Sequence, residues 1–216
     1  MKTNQLKKLL SEFGSNVRFE HDLKKKNWFN IGGKTKVFYK AENLKELVNF
    51  LKKINNNEKI FILGAGSNTL ITDNLFDGIV IKLSNNFNNI SLLGEDIIIA
   101  GSAVLDTVLS DFAISNNLSG FEFLSCIPGT VGGGIRMNAG CFGKEFKDIL
   151  LSIQVIDKLG NVTTIPRKDI KFEYRKNNLS DELIFLSASF KGIKTESSIV
   201  KDKTDKLKAE KKKTQP

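Results

Sequence analysis

Two glycine-rich segments constrain the fold of this chain more than any other feature. The first is Gly64-Ala65-Gly66-Ser67-Asn68, directly after an apolar strand predicted for residues 59–63. The second is residues 127–134, and six glycines fall between positions 129 and 143. That glycine density argues against a regular element, and the apolar content argues against a disordered linker. We name them the first glycine loop (residues 64–68) and the second glycine segment (residues 127–134).

Both segments are predicted to expose backbone to a ligand. Consecutive amides in a turn such as the first glycine loop form an anion-binding concavity that suits a phosphate or pyrophosphate. It is not a Walker loop, because no Gly-Lys-Ser/Thr follows, and the third glycine of the Rossmann pattern is missing. In the second, a Pro-Gly-Thr turn and three glycines would expose amides along an extended cofactor. The alternatives to ligand binding are a plain glycine turn for the first glycine loop and glycine required for tight packing in the second glycine segment.

The remaining pattern predicts an α+β fold. Apolar spacing after Asn43 predicts a helix that ends at Asn55-Asn56-Asn57, and residues 104–117 predict a second helix. Residues 1–26 are expected to form a short helix and then a mobile lead-in, and residues 194–216 a charged helix or coil with little to bury. Strands are predicted at residues 36–40, 59–63, 78–83, 90–93, 97–100, 151–157, 162–166 and 183–190.

Charge and hydropathy exclude several classes. The formal net charge is +9, but the excess lies in residues 1–36 and 194–216, and only four of the 33 basic residues are arginines. Arginine forks dominate phosphate and base recognition, so no nucleic-acid partner is expected. No apolar run approaches the roughly 20 residues of a membrane helix, and the start lacks a signal peptide. We expect a cytoplasmic protein with no membrane partner.

Few side chains are candidates for chemistry of their own. Cys126 and Cys141 are the only cysteines, form no CxxC and are expected to be reduced and mostly buried, so no metal site is predicted. His21 is the only histidine and is expected on the surface. Arg175, after Tyr174, is a candidate fixed positive charge, with a surface ion pair as the alternative.

Taken in order, these pieces resemble a known enzyme family. The chain resembles UDP-N-acetylenolpyruvoylglucosamine reductase, a flavin enzyme of peptidoglycan precursor synthesis, over residues 27–193. The motifs that carry the resemblance are Asn30-Ile31-Gly32-Gly33, residues 63–71, Gly120-Phe121-Glu122-Phe123-Leu124, residues 127–133, Met137-Asn138-Ala139-Gly140 and Tyr174-Arg175.

The resemblance implies a two-lobed FAD-binding domain of the vanillyl-alcohol-oxidase (PCMH) type, with lobes at about 27–85 and 86–193. NADPH would reduce noncovalently bound FAD, which would then reduce the enolpyruvyl group of UDP-N-acetylglucosamine enolpyruvate. Arg175 would be catalytic by stabilising the developing negative charge, and with Tyr174 it would bind this substrate. The implied FAD-binding residues are Gly64, Ala65, Gly66, Ser67, Asn68, Leu70, Ile71, Ile127, Pro128, Gly129, Thr130, Gly132, Gly133, Asn138, Ala139 and Gly140.

The resemblance is incomplete at the C-terminal end. Family members continue into a third lobe with a proton-donating Ser and a supporting Glu, and neither has a counterpart here, so impaired turnover is expected. A deliberate fragment and a frameshift in the run that encodes Lys211 to Lys213 are the alternatives, and we favour the frameshift. A separately encoded C-terminal lobe is a possible partner. The alternative functions are an FAD-binding remnant or interaction module, another flavin oxidase of this fold, and a basic nucleic-acid binder.

Overall fold

The structure is a computed structural model that describes residues 3–54 and 58–214. The predicted helix end at residues 55–57 lies outside the described residues. The helices are α1 (Thr3–Leu9), α2 (Leu44–Lys53), α3 (Asp106–Ser115), α4 (Val131–Arg136) and α5 (Ser197–Thr214). The strands are β1 (Val17–Asp22), β2 (Lys34–Ala41), β3 (Ile60–Ile62), β4 (Phe76–Leu83), β5 (Ile90–Leu93), β6 (Ile97–Gly101), β7 (Leu118–Ser119), β8 (Gly140–Cys141), β9 (Lys144–Glu145), β10 (Leu150–Ile156), β11 (Val162–Pro166), β12 (Phe172–Glu173), β13 (Lys176–Asn177), β14 (Ile184–Lys191) and β15 (Ile193–Lys194).

The first sheet has the strand order β1-β2-β4-β3. β2 and β3 both run parallel to β4, so the predicted strand–helix–strand unit is confirmed, with β4 inserted between its two strands. Asn43 begins α2 as predicted, because its side chain accepts a hydrogen bond from the Glu46 amide at 2.9 Å. The parallel strands end together, and the first glycine loop leaves this sheet directly after β3.

The N-terminal prediction needs a correction. The short helix is present, but residues 17–22 form β1, which pairs antiparallel with β2, rather than a mobile lead-in. Leu6, Leu10 and Phe13 are buried, and the Phe13 ring packs edge-on against Tyr39 at 5.6 Å. The lysine-rich composition did not indicate this packing, because the few apolar residues are buried on one side of the segment while the charged ones face water.

The second sheet has the order β11-β10-β14-β6-β5 and is antiparallel throughout. The strands predicted at residues 90–93 and 97–100 are confirmed and pair as a hairpin, and Gly94 takes the positive φ of +63° that its turn requires. The first sheet draws on residues 17–83 and the second on residues 90–191. The core beneath the first sheet also contains Ile156, Ile184 and Leu186 from the second, so the two sheets share packed side chains. The lobe boundaries themselves stay a prediction.

The second glycine segment contradicts the expectation that it forms no regular element. Residues 131–136 form α4 although three of the six are glycines. A Cβ at Gly134 would lie 2.2 Å from the Phe146 ring, and one at Gly132 would lie 3.0 Å from Ser102 Cβ. Glycine is needed at these positions because the helix packs closely on its neighbours, so the tight-packing alternative is correct there.

The C-terminal tail is the helix α5, one of the two predicted alternatives, but it buries more than expected. Val200 and Thr204 are buried as the helix packs on α3 and on the 3₁₀ turn Glu122–Cys126. The Lys211 ammonium donates a hydrogen bond of 2.6 Å to the Cys126 carbonyl, immediately before the second glycine segment. Among the described residues, no helix has the length and apolar character to cross a membrane.

Candidate active site

The first glycine loop presents unused amides. Gly66 has a φ of +72°, and its carbonyl accepts a hydrogen bond of 3.1 Å from the Trp28 amide. A Cβ at Gly66 would lie 2.3 Å from the Lys26 carbonyl oxygen, so only glycine fits. Within the described residues, the amides of residues 65–68 donate to no protein acceptor. The loop therefore has the donor set that binds an anion.

Two lysines add positive charge beside this loop. The Lys82 ammonium, from β4, donates a hydrogen bond of 3.1 Å to the Gly64 carbonyl. Lys82 is half-buried, and its pKa is lowered by burial and, to a smaller extent, by the charge of Lys26. A bound anion would raise this pKa again, because no carboxylate of the described residues lies within ion-pairing distance of either ammonium group.

In the second glycine segment, by contrast, most amides are already bonded. The amides of residues 129, 131, 132 and 134 donate to the carbonyls of residues 127, 104, 102 and 130, at 3.0, 2.9, 2.9 and 2.7 Å. The predicted exposure of these amides is therefore wrong. Antiparallel pairing with residues 102–106 uses two of them, and the start of α4 uses another. Pro128 and Gly133 are exposed, whereas Thr130 is buried.

The two segments meet at Gly64 and Thr130. A Cβ at Gly64 would lie 2.7 Å from Thr130 Oγ1, and one at Gly133 would lie 3.5 Å from the same atom. The Thr130 hydroxyl makes no cap hydrogen bond to α4. The prediction that these segments, 60 or so residues apart, lie together is confirmed, so one extended ligand can reach both.

Asn138 organises the segment that follows α4. It is fully buried, and its amide nitrogen donates to Glu145 Oε2 at 2.9 Å and to the Glu173 carbonyl at 3.2 Å. Its amide oxygen accepts from the Lys147 amide at 3.1 Å. Asn138 thus joins α4 to the β8–β9 hairpin and to the residues just before Tyr174 and Arg175.

Arg175 lies beside this hairpin and is exposed to solvent. Its Nη2 is 3.5 Å from the Gly140 carbonyl oxygen, and its guanidinium lies 5.1 Å from the centre of the exposed Tyr174 ring. Arg175, Phe142 and Asn138 have φ values of +60°, +52° and +41°. Such conformations cost energy in residues other than glycine and cluster at functional sites.

A cavity of about 390 Å³ lies beside Arg175 and the β8–β9 hairpin. Lys144, Glu145 and Lys147 line it with Arg175. Glu145 pairs with Lys147, and that hydrogen bond is the main reason that the Glu145 pKa is lowered. Among the described residues, neither Arg175 nor Lys144 has a carboxylate within ion-pairing distance. The cavity therefore retains cationic groups that can bind an anionic ligand.

Comparison with known proteins gives the family of this chain. A sequence family described as an FAD binding domain matches residues 35–166. UDP-N-acetylenolpyruvoylglucosamine reductase of Pelagibacter ubique is 58% identical over 216 residues, which cover 100% of this chain and 72% of that protein. The chain belongs to the UDP-N-acetylenolpyruvoylglucosamine reductase family.

Two further relatives of this reductase family agree. The reductase of the same name from Rickettsia typhi is 44% identical over 199 residues, covering 91% of this chain and 66% of that protein. The crystal structure of UDP-N-acetylenolpyruvylglucosamine reductase from Thermus caldophilus is 27% identical, with a TM-score of 0.81 over 93% of this chain and 71% of that one. The chain thus spans between 66% and 72% of these three relatives. The resemblance and the α+β FAD-binding fold are confirmed.

The remaining residues predicted to bind FAD lie in or near the two glycine segments. Ile71 packs in a small core with Phe38 and against Gly32, whereas Leu70 is 71% exposed. Ile127 and Ala139 are half-buried against the larger core of the second sheet. Ala65, Ser67 and Asn68 lie in the first glycine loop with at least part of each residue exposed.

His21 and the two cysteines are buried or half-buried in the structure. His21 is half-buried against the Phe38 ring, at 4.6 Å, rather than on the surface, and burial lowers its pKa. Cys126 is buried and Cys141 half-buried, and burial first and Cys126 second raise the Cys141 pKa. Among the described residues, no group of His, Cys, Asp and Glu could hold a metal ion.

Four charged residues near the site were not predicted from the sequence. Lys26 and Lys82 lie at the first glycine loop. Asp106 contacts the second glycine segment at Gly129, and Lys211 contacts Cys126, the residue before that segment. A lysine inside the apolar strand 78–83 was a visible signal for Lys82. Asp106 gave no signal, because an acid in the first turn of a helix is common.

Proposed function

We propose that this chain binds FAD and, with NADPH as reductant, reduces the enolpyruvyl group of UDP-N-acetylglucosamine enolpyruvate. The observation that carries the proposal is the contact between Gly64 and Thr130, which brings the two cofactor segments together. Membership of the reductase family supports it. The roles in peptidoglycan precursor synthesis and the cytoplasmic location belong to the same proposal.

The residues present fit an FAD pyrophosphate at the first glycine loop. The free amides of residues 65–68 would donate to it, and Lys82 would supply a nearby charge. Because Gly64 and Thr130 approach too closely for a side chain at position 64, the cofactor would lie across both segments rather than between them. Pro128, Gly129 and Gly132 would shape the other wall, with Gly133 exposed towards the ligand. When bound, FAD supplies hydride-transfer chemistry, which no side chain of this chain supplies.

Arg175 and Tyr174 would bind and orient the substrate. The substrate carries a diphosphate and a carboxylate, and in the cavity Arg175 and Lys144 have no carboxylate of the described residues within ion-pairing distance. As hydride reaches the enolpyruvyl double bond, negative charge develops towards the substrate carboxylate. The Arg175 guanidinium would stabilise that charge, and the Gly140 carbonyl, 3.5 Å from Nη2, would help to position it. Asn138 and Ala139 with Gly140 would position this edge of the site.

Cofactor binding is the first test. The chain is purified with added FAD, and the retained yellow chromophore is measured after gel filtration. We expect retained flavin that is released on denaturation, because no covalent link is proposed. A colourless protein, or a covalent flavin adduct by mass spectrometry, contradicts the proposal.

Turnover is the second test. NADPH oxidation is followed with and without UDP-N-acetylglucosamine enolpyruvate. Oxidation that the sugar nucleotide stimulates supports the reductase. Bound flavin without stimulation supports the second candidate, an FAD-binding module without full turnover. The impaired turnover of the chain stays a prediction until this measurement.

A further inference from the structure

Residues 102–106 set the shape of the second glycine segment. The Gly132 amide donates to the Ser102 carbonyl and the Val131 amide to the Val104 carbonyl, both at 2.9 Å. The Asp106 amide donates to the Gly129 carbonyl at 3.1 Å. This ladder of hydrogen bonds joins the start of α3 to the backbone proposed to bind FAD.

The Asp106 carboxyl lies directly against that backbone. The residue has no exposed surface, and a Cβ at Gly129 would lie 2.6 Å from Asp106 Oδ2. In the described part of the chain, neither carboxyl oxygen has a hydrogen-bond partner. The hydroxyls of Ser102 and Ser110, four residues before and after it, are likewise buried without partners. An ionised carboxylate in this environment would be uncompensated, so the group is stable only in its neutral form.

We propose that Asp106, as a neutral carboxylic acid, is a positioning residue that holds Gly129 and the cofactor-binding shape of the second glycine segment, and that FAD binds only while Asp106 keeps its proton. The inference rests on the proposed function and extends it. An ionised Asp106 would draw water towards Gly129 and would repel the cofactor pyrophosphate. Both effects disfavour the bound state.

No charged neighbour controls this group. Burial alone raises the Asp106 pKa to about 8, and none of the ionisable groups on the elements packed around it contributes. On the adjacent 3₁₀ turn, the Glu122 carboxylate is held by the Ser119 hydroxyl and the Gly120 amide. The other ionisable residues of these elements are Asp111 on α3, Cys126 on the turn, Arg136 on α4, Lys191 on β14, and Lys201, Asp202, Lys203, Asp205, Lys206, Lys208, Glu210, Lys211, Lys212 and Lys213 on α5.

The experiment measures FAD affinity against pH on the whole chain. Apoprotein is titrated with FAD from about pH 6.5 to about pH 9.5, and binding is followed by flavin fluorescence. Above about pH 8 the wild-type dissociation constant should rise by up to about tenfold per pH unit, because the bound state must keep a proton that the free state loses. In Asp106→Asn this rise should disappear, since the amide has the same shape and does not ionise.

Two controls separate Asp106 from other groups. Asp111→Asn changes an exposed acid on the same helix and should follow the wild-type curve. Loss of the Lys82 proton also weakens FAD binding at high pH, but it does so equally in wild type and Asp106→Asn. The inference therefore depends on the difference between those two curves.

A second measurement needs no variant. Calorimetric titration of wild type with FAD near pH 8.5, in two buffers of different ionisation enthalpy, should show net proton uptake of up to about one per FAD. Parallel affinity curves for wild type and Asp106→Asn, or no proton uptake, overturn the role of Asp106 and leave the proposed function standing. Failure to bind FAD at any pH overturns both.

Discussion

In the first glycine loop, Gly66 takes a positive φ, and the amides around it have no acceptor among the described residues. In the second glycine segment, Gly132 and Gly134 allow a helix to pack against Ser102 and Phe146. The same residue type thus has two physical roles within one proposed cofactor site. In the proposed site the first loop would bind FAD with its backbone, whereas the second supports the site with a closely packed scaffold. Glycine content alone does not distinguish these roles, because they depend on which residues pack against each glycine.

The largest expected effect is a pH dependence of stability caused by Asp106, which lies against the second glycine segment. Its pKa is about 8 in the native state and near 3.8 when unfolded, so between these values the unfolded chain binds fewer protons. Stability therefore falls as pH rises through this window, by about 1.4 kcal/mol per pH unit. Thermal unfolding of the apoprotein at several pH values should show this fall for wild type and Asp111→Asn, and a weaker one for Asp106→Asn. Parallel curves for all three would show that Asp106 ionises freely in the native state.

The packing role of the second segment predicts a loss of stability in Gly134→Ala. The new Cβ would overlap the Phe146 ring in the core, and overpacking of this kind costs about 1–3 kcal/mol. Urea unfolding measures it. Gly133→Ala is the matched control, because the nearest atom to its Cβ is at 3.5 Å and alanine favours a helix by up to about 1 kcal/mol. Equal stabilities for the two variants would remove the packing explanation.

The binding role of the first loop predicts weaker FAD binding in Lys82→Met. The variant loses the ammonium that lies beside Gly64 and that would donate to the bound pyrophosphate. A hydrogen bond from a charged group contributes about 1.5–3 kcal/mol, so the dissociation constant should rise about tenfold or more. Fluorescence titration measures this change. Lys40→Met removes an exposed lysine from the neighbouring strand β2 and should leave the affinity unchanged. If both variants bind FAD as wild type does, Lys82 has no role at the cofactor.

The smallest effect concerns the contact between the two segments. Gly64→Ala places a methyl group against the Thr130 hydroxyl, and Thr130→Ala removes that hydroxyl. The double variant should therefore be more stable than the sum of the single effects predicts, with a coupling of about 0.5 kcal/mol or more. Urea unfolding of the four proteins measures the coupling. Additive effects would mean that the segments do not touch in solution.

The sequence predicted those elements whose signals are local. Asn43 and the apolar spacing after it located α2, and the apolar runs at residues 90–93 and 97–100 located β5 and β6. The motif order identified the family and hence the fold. β1 and α4 were missed because tertiary packing, rather than local preference, stabilises them.

Contacts between distant residues were beyond a reading of one sequence. The proximity of Lys82 to Gly64 depends on the placement of β4 between β2 and β3. The contact of Asp106 with Gly129 depends on pairing between residues 102–106 and the second glycine segment. The contact of Lys211 with Cys126 depends on how α5 folds back. None of these distances is encoded in residue spacing.

The backbone of Arg175 has a consequence for engineering this protein. A left-handed conformation in a residue with a side chain costs about 1–2 kcal/mol, so the native fold is less stable at this position than it would be with glycine. Selection of variants for heat tolerance alone would thus favour replacement of Arg175, and the hardier proteins obtained would lack the guanidinium. Screens for robust versions of this chain therefore need a second criterion that depends on that charge.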